Sequence, residues 1–342
     1  MTHPASERRT RPTQRDIARR LGVTAAAVGL ALNGRPGVSD ELRAEVHRVA
    51  AELGYRPNYA ARAMRTDRSF MMGIVYRNLH NPAFLSLIEG FDETCNARGY
   101  TVMVGSSRFD QDREAALIES FAGRGIDGLA VMPVDVDSAR RAWRRYGEKP
   151  LAFVATPTTV SGNRTFSVRS AEIDSVTLSV AHLAELGHTR IALMTGSLAH
   201  PAGVRRSESF VAGARARGVE PVLLPAGWDQ AAVRQAVAEY LRQPDRATAI
   251  ITNSDRLAMA VYEAARDVGI AVPDDLSVIG HDDIDTARLL SPPLTTFAVD
   301  HFQMGVRTAE QLISMAEGGP LAEKDIVLPI RLVVRGSTAP PA

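Results

Sequence analysis

The stretch "TQRDIARRLGVTAAAVGLALN", residues 13–33, decides how the chain begins. Thr13-Gln-Arg-Asp16 is a capping sequence, in which a hydroxyl meets the first free backbone N–H groups and an acid three residues on reaches back. Ile17, Ala18 and Leu21 then share one face, which predicts a first helix to about Arg20. Gly22 permits a tight turn. Thr24 caps a second helix reaching Leu32, and Asn33-Gly34 stops it. After Arg35-Pro36-Gly37, Ser39 caps a third helix with Leu42, Val46, Val49 and Leu53 at helical spacing and Gly54 past its end. Two short helices joined across Leu21 to Thr24, then a longer one, match the helix-turn-helix arrangement. The second helix is nevertheless nearly all alanine, and on composition alone it fits a packed helix of an all-α domain equally well.

Charge separates this segment from the rest. Residues 1–68 hold thirteen Arg, no Lys and seven carboxylates, a local balance of +6 within a chain whose net charge is +1. A basic leading segment before an acidic body is the pattern of a polyanion-binding headpiece, and it also fits a solvated Arg-rich tail. Cys95 is the only cysteine, which excludes an internal disulfide and any multi-cysteine metal site. No run approaches the ~20 apolar residues of a membrane helix. The first twelve residues lack the apolar core of a secretory signal. The cytoplasm is the expected compartment, with no membrane partner.

From Phe70 the periodicity changes. Short apolar runs (71–76, 101–105, 128–133, 151–156, 190–196, 221–226, 249–253, 276–280) alternate with amphipathic stretches such as 83–98 and 111–123. Strands alternating with helices imply parallel sheets with right-handed crossovers. About 270 residues carry too many strands for one sheet, so two doubly wound subdomains are expected, with a cleft outside the strands' carboxyl ends. Gly123-Arg-Gly-Ile-Asp-Gly128 satisfies the dinucleotide-binding expression but has its helix before it and its strand after, the reverse of what a pyrophosphate site needs. The eight histidines never fall at a spacing useful for joint metal ligation, and no cofactor or metal is expected. Of the paired acids, Asp274-Asp275 follows Pro273 in a surface turn, whereas Asp282-Asp283 follows a strand and is placed to reach the cleft. His182 and His188 read as capping or packing residues.

The segment from Thr13 to Arg65 resembles the headpiece of lactose-repressor-type (LacI/GalR) transcriptional regulators. The blocks "NPAFLSLIEGFDETCNARGY" (81–100), "GIDGLAVMP" (125–133), "HLAELGHTRIALMTG" (182–196), "NSDRLAMAVYEAARDVGIAVPDDLSVIGHDDID" (253–285), "PPLTTFAVD" (292–300) and "LPIRLVVRGST" (328–338) carry the likeness to the end of the chain. It implies a flexible tail over 1–12, a helix-turn-helix headpiece over 13–57, a hinge helix and linker over 58–68, and a body over 69–342. The fold expected is an all-α headpiece plus an α/β body of two doubly wound parallel-sheet subdomains, similar to periplasmic binding proteins. The first subdomain would span about 69–165 and 295–325, the second about 166–294 and 326–342.

The resemblance also implies site residues. Thr13, Thr24, Ala25, Ala26, Gly29, Leu30, Asn33, Ser39 and Tyr55 would lie at DNA. Asn58, Ala61, Arg62, Met64 and Arg65 would form a hinge helix in the minor groove, with Met64 in place of the family's kinking Leu. Ala25 and Ala26 offer only methyl contact, and Ala27 and Gly29 replace the usual Thr and Ser, so the recognition helix positions more than it reads. At the effector cleft the matches are Phe84, Arg206, Ser254, Asp255 and Asp282. Three departures stand out: Ser209 for Gly, His281 for an aromatic, and Ala171-Glu172 for Asp-Asn. The expected function is a sequence-specific regulator, a repressor, controlled by a small effector such as a sugar, on double-stranded DNA with a pseudo-palindromic operator. Because the chain stops at Ala342 without the heptad helix of the family's tetramers, a homodimer is expected. The alternative is a cytoplasmic sugar-binding protein with an accessory helical domain; "RPNYAARAMR" (56–65) has no purpose there.

Overall fold

The computed structural model describes residues 12–32, 34, 36–55, 68–77, 80–156, 158, 160–195, 201–225, 227 and 229–342. The chain divides after Asp67 into two compact units. The first holds α1 (Gln14–Leu21), α2 (Ala25–Leu32) and α3 (Asp40–Leu53). At the start of α1, the Asp16 carboxylate accepts both the Thr13 N–H (2.8 Å) and the Thr13 hydroxyl (2.7 Å). Gly22 ends α1 at φ +68°, a left-handed conformation in which any Cβ is strained. The Thr24 hydroxyl then accepts the Ala27 N–H at 3.1 Å, starting α2. The three helices close on Ile17, Ala18, Val28, Ala31, Val46, Val49 and Ala50, with Leu21, Val23, Leu42 and Tyr55 packed around them.

Ser39 caps α3 by accepting the Leu42 N–H at 3.2 Å. Replacing Ser39 by alanine strands that donor and is expected to cost the headpiece about 1 kcal/mol. Faster hydrogen exchange of the α3 amides, with body amides unmoved, is the check.

The second unit begins at Arg68. Its first lobe is a six-stranded sheet ordered β2-β1-β3-β4-β5-β11, with every pairing parallel. The strands are β1 (Met71–Tyr76), β2 (Thr101–Ser106), β3 (Gly128–Val131), β4 (Leu151–Val154), β5 (Thr165–Ser170) and β11 (Asp325–Leu328). One face packs on α4 (Ala83–Ala97) and α11 (His301–Ala316) through Met72, Leu87, Phe91, Met304 and Leu312. The other packs on α5 (Gln111–Gly123) and α6 (Val136–Arg144) through Ile118, Phe121, Trp143 and Phe153. The second lobe is the parallel sheet β7-β6-β8-β9, made of Glu220–Pro225, Arg190–Thr195, Ala249–Thr252 and Ser277–Ile279. It lies between α7 (Glu172–Glu185) with α8 (Pro201–Arg215) and α9 (Gln230–Leu241) with α10 (Asp255–Asp267). An antiparallel ribbon of β10 (Thr296–Val299) and β12 (Ile330–Val333) joins this lobe: Phe297 and Leu332 enter its core, and Ile279 bridges to Thr295.

The expected subdomain limits are corrected by these pairings. Residues 165–170 and 325–328 belong to the first sheet, where β5 hydrogen-bonds both β4 and β11. Residues 295–299 belong with the second lobe. The chain therefore passes between lobes near residues 171, 300 and 329. The reversed glycine sequence ends α5 and leads into β3. His182 and His188 hold the C-terminal segment: His182 Nε2 lies 3.1 Å from the Thr338 hydroxyl, and His188 Nε2 lies 3.0 Å from the Ala339 carbonyl.

Candidate functional site

The headpiece presents Thr24, Ala25 and Ala26 on its exposed surface, at the capped start of α2. Val28 and Ala31 face the core, and Gly29 and Leu30 are half-buried. Thr13 and Ser39 are exposed cap residues, and Tyr55 is packed partly against the core. Asn33, Asn58, Ala61, Arg62, Met64 and Arg65 lie outside the described residues. The exposed start of α2 combines the positive end of a helix dipole with one hydroxyl and two methyl side chains.

In the body, Asp282 is a point where the two lobes meet. It sits in the loop after β9 at φ +108°, followed by Asp283 at +55°. Two successive non-glycine residues in this region cost about 1–3 kcal/mol each and persist only where surroundings enforce them. The enforcing group is Asp255, wholly buried at the start of α10. Its Oδ2 accepts the Ile284 N–H at 2.9 Å, its Oδ1 accepts the Thr296 hydroxyl, and its own N–H donates to the His281 carbonyl at 2.7 Å. A Cβ on Gly280 would lie 2.1 Å from Asp255 Oδ1, so the carboxylate lies flush beneath the loop. Burial, with the charge of Asp282 second, pushes the Asp255 carboxyl up to about 8.

Asp282 then reaches the other lobe. Asn81, just before α4, donates its Nδ2–H to Asp282 Oδ2 at 2.8 Å. His301 at the start of α11 places Nε2 3.1 Å from Asp282 Oδ1. Burial acts to raise the Asp282 carboxyl, but the His301 hydrogen bond and charge, with His281 and Asn81, hold it below the usual carboxylate range. His301 Nδ1 is buried with no partner. Phe84 stands edge-on to the His301 ring, centroids 6.1 Å apart. On the second lobe, Arg206 pairs with Glu172 at 2.5 Å, both largely buried.

The structure thus brings Phe84 to the His301 ring that holds Asp282, and burial pushes the His281 pKa down beside them. Two of the expected residues have structural partners within the lobe. Asp255 has both oxygens committed there and positions the Asp282 loop. Ser254 is buried, and its hydroxyl accepts the Leu257 N–H as the α10 cap. Asp283 turns away to Arg335 at 2.6 Å. Asn81 and His301 were missed. Neither carries a spacing signal: only the helix packing of α4 against α11 delivers both to one carboxylate. Among the described residues no group of three ligating side chains could hold a metal. No described helix is long and apolar enough to cross a membrane.

A capped helix-turn-helix unit and a body of two parallel α/β lobes, crossed three times by the chain around a polar cleft, define a ligand-responsive DNA-binding regulator. Residues 13–58 match the bacterial regulatory proteins of the lacI family, and residues 180–338 match the periplasmic binding protein-like domain. The ribose operon repressor of Escherichia coli (strain K12) is 27% identical over 332 residues, covering 95% of this chain and 99% of that protein. The fold resembles the Lac repressor dimer bound to operator and the anti-inducer ONPF (TM-score 0.83, 24% identity, covering 96% and 100% of the two chains). A LacI family transcriptional regulator from Enterococcus faecium with bound ribose gives a TM-score of 0.70 at 26% identity, covering 79% and 99%. The chain carries a DNA-binding domain of the lacI family followed by a periplasmic binding protein-like domain, the arrangement of an effector-controlled DNA-binding regulator.

Proposed function

We propose that this protein is a cytoplasmic transcriptional repressor that binds a pseudo-palindromic operator as a homodimer and is controlled by a small sugar or sugar derivative between its lobes. The observation that carries this reading is Asp282. A strained loop of one lobe holds it out, and Asn81 and His301 of the other lobe grip it, at the position that matches the family's ligand acid. A ligand hydroxyl competing for that carboxylate changes how the lobes meet. Such coupling is worth ~1–3 kcal/mol in typical allosteric proteins, without any chemistry. The similarity to the ribose operon repressor and to a ribose-bound regulator supports a sugar over other small effectors.

On DNA, Thr13, Thr24, Ser39 and Tyr55 would meet phosphates, while Ala25, Ala26, Gly29, Leu30 and Asn33 would lie along the major groove. Specificity would then come from thymine methyls, from Asn58, Ala61, Arg62 and Arg65 in the hinge, and from a deformable central step wedged by Met64. Selection of bound sequences from a random DNA pool should return a palindrome with a flexible pyrimidine–purine centre; an asymmetric or sequence-free pool overturns the reading. Met64→Gly should weaken operator binding by ~10-fold or more, about 1.4 kcal/mol, and reduce the bend. Unchanged affinity and curvature in a gel-shift and bending assay would remove the wedge from the mechanism.

A further inference from the structure

The clamp residue Arg206 does not face the cleft as an isolated cation. Its Nη2 lies 2.5 Å from Glu172 Oε2, with side-chain exposures of 13% and 15%. Glu172 opens α7 directly after β5, where the chain passes from one lobe to the other. The other charges of the cleft are matched in the same way. Arg77 at the end of β1 donates to the Ala155 carbonyl at 3.2 Å and feels Glu172, Arg206 and Glu114 as its neighbouring charges. Asp282 is held by Asn81 and His301. The Arg206 charge is therefore offset by the Glu172 carboxylate beside it, and the Asp282 carboxylate is held by partners of its own.

That balance discriminates between ligand classes. A phosphate or carboxylate brought to Arg206 would meet the Glu172 carboxylate beside it, and a like-charge juxtaposition costs several kcal/mol. A hydroxyl asks for one donor and one acceptor. A guanidinium with five N–H groups and a carboxylate with about four lone-pair sites can supply both while remaining paired with each other. We infer that Glu172 is a specificity determinant that neutralises Arg206 and restricts the cleft to uncharged polyhydroxylated effectors, rejecting phosphorylated and acidic ones. The inference rests on the cleft being the effector site.

The test uses the full chain with inorganic phosphate, D-ribose and ribose 5-phosphate as probes, read by calorimetry and thermal unfolding. Wild type should show no phosphate binding tighter than the ~10 mM range, below a Kd of which about 2.7 kcal/mol of binding energy is already present. Glu172→Gln, which keeps the shape and removes the charge, should bind phosphate at least ~10-fold more tightly. Adding Arg206→Leu to that variant should abolish the gain. Phosphate binding equally to wild type and Glu172→Gln, or wild type preferring ribose 5-phosphate over ribose, overturns the inference. The wild-type arm can still overturn the inference if Glu172→Gln does not fold. Neutral sugars that leave wild type unmoved while phosphate still tightens on Glu172→Gln would sink the sugar reading and keep the neutralised clamp.

Discussion

Replacing Gly305 by valine should unfold the first lobe or destabilise it by more than about 3 kcal/mol, the upper range of overpacking costs. Helices α4 and α11 touch backbone to backbone. A Cβ at Gly305 would lie 2.1 Å from the Leu87 carbonyl oxygen and 2.7 Å from the Phe91 nitrogen, and one at Gly90 would lie 2.2 Å from the Phe302 carbonyl oxygen. These obstacles are main chain, so no rotamer change can clear them. Separating the helices would withdraw Leu87, Phe91 and Met304 from the core. It would also move Asn81 and His301, which precede or open the same two helices and hold Asp282. Gly305→Ala should be intermediate, losing both stability and effector response. Denaturant unfolding of the full chain measures the effect, and an alanine variant with the wild-type midpoint would show that the two helices can part at no cost.

The second expectation concerns pH. The Asp255 carboxyl is raised to about 8 in the folded chain, against an ordinary value near 3.8, because burial and the Asp282 charge disfavour its ionised form. A carboxyl raised in this way stabilises fully below its unfolded value, and that contribution is lost as pH climbs to about 8 and then stays constant. Asp255→Asn removes the charge while keeping an acceptor for the Ile284 N–H and a donor toward the Thr296 hydroxyl. The variant should therefore gain on wild type as pH rises from about 5 to 8, by up to about 1.4 kcal/mol per unit. Glu114, raised by burial to about 7, acts in the same direction, but it is common to both proteins and cancels in the comparison. Asp282, whose carboxyl is lowered, contributes stability that is lost only as pH falls below its ordinary range, outside this window. Parallel stability curves for the two proteins between pH 5 and 8 would mean that the Asp255 carboxyl is not raised in the folded chain and ionises there as it does unfolded.

Much of this was legible in the chain itself. Capping residues and apolar spacing are local, so Thr13, Gly22, Thr24 and Ser39 announced the headpiece helices, and the alternation of apolar runs announced parallel sheets. β5 escaped because "TFSVRS" reads as half polar; its hydroxyls are buried only because the Ser167 hydroxyl meets Asp325 and the Ser167 N–H meets the Lys324 carbonyl, more than 150 residues away in the sequence. The lobe limits followed that miss.

The sequence by itself determined the periodicities, the caps, the charge asymmetry and the family likeness, since each depends on neighbours within a few residues or on order along the chain. Tertiary structure alone decided which polar groups face the cleft. Asp255 and Asp282 are both acids beside a strand or helix end, and only the folded loop makes one a support within its own lobe and the other the carboxylate that Asn81 and His301 of the facing lobe hold. Glu172 and Arg206 lie 34 positions apart. Their pairing, and with it the charge of the site, arises from distances that no local pattern encodes.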